Sequence, residues 1–67
     1  MSRAGVPQLK RAALLEPDNL VIGYHLAAAL ARAGDRDAAQ DQLKKILASG
    51  KTFAGAKEAQ ALLASLK

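Results

Sequence analysis

His25 is the one side chain here whose ordinary pKa lies near neutrality, so proton transfer would have to start there. A general base needs a nucleophile and an orienting acid within reach. On a helix, those partners would stand three or four residues away, where the chain has Val21, Ile22, Ala28 and Ala29. Metal ligation lacks companions as well, because there is no cysteine and no second histidine. His25 therefore reads as a partly exposed surface histidine. Ser2, Ser49, Thr52 and Ser65 stand in no nucleophile-elbow context, and the five glycines are scattered single breakers that form no phosphate loop. The residues imply no catalytic group, no metal and no cofactor, and the chain reads as a non-enzyme.

Charge is the second source of chemistry. Ten Lys or Arg against six Asp or Glu give +4 over 67 residues. The cations are spread along the chain, and Lys10-Arg11 and Lys44-Lys45 read as solvated helix surface. A small basic helical module that binds nucleic acid is the alternative reading, but it needs a dense basic face. Nucleic acid is accordingly disfavoured as a partner. The start, MSRAGVPQL, lacks the continuous apolar stretch of a signal peptide. No window approaches the roughly 20 apolar residues of a membrane span. The expectation is a soluble segment without membrane insertion. The compartment stays open: cytoplasmic, or periplasmic if the segment belongs to a longer exported chain.

The elements that position these residues are helices. Residues 1–6 read as a flexible start. A first helix over 7–16 opens with Pro7, which is tolerated in a first turn. It carries Leu9, Ala12, Ala13 and Leu15 as a stripe and stops at Pro17. Asp18 or Asn19 caps the second helix, from Leu20 to about Ala33. There Ile22, Leu26, Ala29, Leu30 and Ala33 form one apolar line, with Val21, Tyr24, Ala28 and Ala31 beside it. Gly34 ends it in a left-handed conformation. Asp35 or Asp37 opens the third helix, whose buried side is Ala38, Ala39, Gln42, Leu43, Ile46 and Leu47. Asp41 and Lys45 make a helix-supporting pair, and Gly50 stops the helix. After a loop bearing Phe53, a last helix within 55–67 places Ala59, Leu62, Leu63 and Leu66 on one side. Strand-like alternation is absent, so the fold class is all-α. Short connections call for antiparallel neighbours, and alanines at 27, 28, 29, 38 and 39 allow close approach.

The stretch resembles a tetratricopeptide repeat (TPR), a roughly 34-residue unit of two helices. Gly23-Tyr24, Leu26, Ala27 and Leu30 match its first helix, and Gly34-Asp35 match its turn. Ala39, Leu43 and Ile46 match its second helix. Leu9, Ala12, Leu15 and the run Glu16-Pro17-Asp18-Asn19 resemble the end of a preceding repeat. The resemblance implies a TPR-like α-solenoid of antiparallel helix pairs over 7–67. Residues 7–16 would be the second helix of one repeat, 20–50 a complete repeat, and 55–67 a C-terminal capping helix. Two positions depart from the motif. Gly23 stands where an aromatic is usual, which would weaken the inter-helix contact, and Lys51 stands where the junction proline recurs.

TPR relatives hold peptides or helices on a face lined by the first helix of each repeat. Carried across, that face is Val21, Tyr24, His25, Ala28, Ala31 and Arg32. Members that clamp a terminal carboxylate use Lys, Asn and Arg there, whereas Val21, Tyr24 and Ala28 suit an apolar or helical segment. Tyr24 is either the central anchor, with Arg32 at the rim, or a packing residue against the first or last helix. The implied function is a protein–protein scaffold. The implied partner is a protein or peptide, or a second copy pairing through exposed repeat ends as a homodimer.

Overall fold

A computed structural model describes residues 5–67. They form four helices and, among the described residues, no strand: α1 Gly5–Leu15, α2 Leu20–Arg32, α3 Arg36–Leu47 and α4 Ala56–Leu66. The chain is all-α. Of the expected flexible start, Gly5 and Val6 belong to α1, and residues 1–4 lie outside the described residues.

Helix ends follow from the need to satisfy terminal N–H and C=O groups. Asn19, with extended backbone, accepts the Ile22 N–H at 3.2 Å and caps α2. Asp35 accepts the Ala38 N–H at 3.4 Å and caps α3. Between them the chain spends almost nothing on a loop. Asp35 N–H reaches back to the Leu30 carbonyl at 2.9 Å, and Gly34 N–H to the Ala31 carbonyl at 3.1 Å. That pair of bonds is the Schellman arrangement, and it needs the left-handed residue that Gly34 supplies at φ 87°. Asp35 thus closes α2 with its backbone and opens α3 with its side chain. At the far end of α3, the Ser49 hydroxyl donates to the Ile46 carbonyl at 2.8 Å and accepts the Lys51 N–H at 3.2 Å.

The most extensive packing is between α2 and α3, with α1 on α2 and α4 on α3. The fully buried apolar residues are small: Ala27, Ala39 and Ala59 expose nothing, and Leu43 alone among large side chains is equally enclosed. Gly23 is buried as well. A Cβ placed on it would stand 2.7 Å from Ile46 Cγ2 and 3.1 Å from Gln42 Nε2, so Ile46 occupies the room a side chain would need. The expected weakening at Gly23 is therefore replaced by a closer approach of the two helices.

Two apolar clusters flank this seam. Ala27, Leu43, Ile46 and Ala59 make one, against which Tyr24, Phe53 and the α4 leucines pack. Leu26, Leu30 and Ala39 make the other, against which Val6, Leu9 and Ala13 of α1 pack. Leu15 departs from its expected place in the α1 stripe. It lies two residues beyond Ala13, about 200° around the helix, and is 76% exposed, while Leu14 is 82% exposed. Gln40 Nε2 donates to the Leu66 carbonyl, tying α3 to the last turn of α4. The expected Asp41–Lys45 ion pair is not formed.

Leu43 fills the space that the alanines leave between α2, α3 and α4. Leu43→Ala should cost about 2–5 kcal/mol, a large part of the stability a chain this size commands. Urea unfolding followed by helical circular dichroism should show the transition shifted to low denaturant or lost. A shift below about 1 kcal/mol would contradict this packing.

Candidate protein-binding surface

The six residues expected to face a partner all lie on α2, and the structure divides them. His25 and Arg32 are exposed, whereas Val21, Tyr24, Ala28 and Ala31 are half-buried. Ala31 packs on the cluster around Leu26 and Leu30. Tyr24 packs on the cluster around Ala27 and Leu43. Its ring also lies over the entrance to α4. A Cβ on Gly55 would stand 3.2 Å from Tyr24 Cδ2 and 3.5 Å from Cε2. Gly55 has φ 96°, and no side chain caps α4 there. The loop at Gly55 therefore runs close beside the Tyr24 ring. Tyr24 also meets His25, with ring centroids 5.6 Å apart and planes tilted by 50°.

What remains on α2 is a set of half-buried Val21, Ala28 and Ala31 together with the exposed imidazole of His25 and guanidinium of Arg32. Such a set can make apolar contact and a few polar rim contacts. Leu26, Ala27, Leu30, Ala39, Leu43 and Ile46 are buried, and Gly34 lies in the turn between α2 and α3.

A concavity lies elsewhere, and none of the six residues lines it. It holds about 420 Å³ between the second half of α1, the 16–19 connection, and the second half of α3. Leu14, Leu20, Leu26 and Ile46 supply apolar lining, and Lys10, Lys45 and Lys51 reach it from three separate elements. A smaller hollow of about 240 Å³ sits between Val6, Pro7 and Lys10 and the end of α2. The sequence carried one sign of the larger site. Leu14 and Leu15 are adjacent in a helix whose inward line is Val6, Leu9 and Ala13, so at least one must point outward. The convergence of the lysines had no such sign.

Among the described residues, no polar or charged side chain is buried. No group of three His, Cys, Asp or Glu among them could hold a metal ion. None of the described helices is long and apolar enough to cross a membrane. No family model, curated protein or solved structure matches the chain.

The seat of Tyr24 is open to test through two glycines. Gly34→Ala and Gly55→Ala both place a side chain in left-handed backbone, at roughly 1–2 kcal/mol each. A Cβ at Gly34 would meet nothing within 4 Å, whereas one at Gly55 would meet the Tyr24 ring. Gly55→Ala should therefore lose more stability than Gly34→Ala in urea titrations. The excess should vanish when Tyr24→Ala is combined with it. Equal losses from the two glycine variants would show that the ring does not rest on this loop.

Proposed function

We propose that this chain is a TPR-like protein-binding module. In this reading α2 and α3 are one complete repeat of antiparallel helices, α1 is the second helix of a preceding repeat, and α4 is a capping helix. The module holds an apolar or helical segment of a protein partner, or pairs with its own copies, and carries out no catalysis.

One coincidence carries the reading. The two small positions of the resemblance, Ala27 and Ala39, have no exposed surface. Its turn glycine, Gly34, has the positive φ that the turn requires. Leu30 and Leu43, at its large positions, and Ile46, at its last small or apolar position, are buried. One further feature favours binding. Helices α1 and α4 each have one principal packing neighbour, which leaves outer faces of the kind that repeats use to stack or to bind.

Random-peptide display against the intact chain tests this directly. The expected result is a family of selected peptides with apolar residues at helical spacing, binding with Kd around 1–100 μM. Titrations with duplex and single-stranded oligonucleotides should show weak binding. Tight oligonucleotide binding that falls steeply with salt, together with no selected peptide, would favour the basic nucleic-acid module. Self-pairing has its own measurement. A sedimentation mass that stays near 7.0 kDa at high concentration would remove the homodimer.

A further inference from the structure

We infer that the hollow between α1, the 16–19 connection and α3 is a docking site for an acidic segment of another protein, one that inserts an apolar side chain. This rests on the protein-binding reading but places the contact away from the α2 face. Its volume of about 420 Å³ falls within the few hundred to roughly 1,000 Å³ typical of sites that enclose a guest. Leu20, Leu26 and Ile46 line it from α2 and α3, and Leu14 stands at its edge, 82% exposed. A leucine left in water beside an apolar hollow gains from any guest that covers it.

Charge selects the guest. Lys10 from α1, Lys45 from α3 and Lys51 beyond it all line the hollow, and among the described residues none of them is engaged in an ion pair. Glu16 and Asp18 also line it, both from the connection. A bound segment therefore finds its complement with carboxylates beside α1 and α3, away from the connection. Those two acids also disfavour a nucleic-acid backbone, which would bring phosphate against them while leaving Leu14 unused.

A second copy of this chain matches poorly. Its large exposed hydrophobics, among the described residues, are Leu14 and Leu15. Both share α1 with Lys10 and Arg11, and no acid lies within α1. Offering those leucines to another copy's hollow would bring cations against cations. Glu16 and Asp18 do follow those leucines, but Lys10 and Arg11 balance them on the same segment, which therefore has no net negative charge to offer. The acids at 35, 37, 41 and 58 lie on other elements than the exposed leucines.

The selected peptides supply the test. They should combine an apolar anchor with an excess of Asp and Glu. Lys45→Glu and Leu14→Ser, both at exposed positions that leave the core intact, should each weaken binding about tenfold. Arg11→Glu changes net charge equally but lies outside the hollow, and should change affinity less than about threefold. Five results would overturn the proposal. The peptides could lack acidic excess, Leu14→Ser could have no effect, or Arg11→Glu could weaken binding as much as Lys45→Glu. Loss of binding in Tyr24→Ala, with Lys45→Glu neutral, would keep the protein-binding reading and move its site to α2. A selection that yields no peptide would overturn both readings.

Discussion

The close approach of α2 and α3 is the constraint on which the rest of the structure depends. It is set by what is missing from the facing surfaces. Gly23 has no side chain, and Ala27 and Ala39 have one carbon each. Ile46 lies so near Gly23 that a Cβ there would be 2.7 Å from its methyl group. Ile46 cannot readily move aside, since a β-branched side chain has little freedom at χ1 within a helix. The turn enforces the same closeness, because Asp35 ends one helix and begins the next within a single residue. A pair fixed in this way gives α1 and α4 a defined surface on either side. Both outer helices are short, and such helices hold their shape through tertiary contact more than through intrinsic propensity.

A seam built from alanine and glycine has a cost. Small side chains remove little apolar area from water, so the burial that stabilises the chain falls on a few large residues, with Leu43 at the centre. The Cα envelope measures 30 × 28 × 16 Å, and in so thin a body most side chains keep some contact with solvent. That geometry also accounts for the surface features. Helix α1 turns one line of residues onto α2 and leaves Leu14 and Leu15 outward. The space between α1 and α3, both set against α2, becomes the larger hollow. On α2 the loop at Gly55 already lies beside Tyr24.

Local signals in the chain were enough to place the helices. The Asx caps, the turn glycine and the three- and four-residue apolar spacing each act within a few residues. Leu20, Gly34 and the Ala56–Leu66 span accordingly stand where they were expected. The buried side of α3 was legible for the same reason. Features set by contacts distant in sequence were not. The neighbour that Tyr24 meets at Gly55 lies thirty-one positions later by residue number. Lys10, Lys45 and Lys51 look dispersed along the chain and meet at one hollow only because α1 and α3 flank it. Gly23 read as a lost contact because its motif position usually holds a large residue. Its partner Ile46 supplies that volume from the other helix.

A double-mutant cycle on Gly23 and Ile46 addresses the seam most directly. In the wild-type background Gly23→Ala should destabilise by about 1–3 kcal/mol through overpacking, partly offset by alanine's better helix propensity of roughly 1 kcal/mol. With Ile46→Ala in place, the added methyl group enters vacated space. The same Gly23→Ala change should then be neutral or stabilising, giving a coupling of at least about 1 kcal/mol by urea denaturation. An unchanged cost of Gly23→Ala in both backgrounds would contradict the account, since it would mean that α2 and α3 do not meet at these two residues.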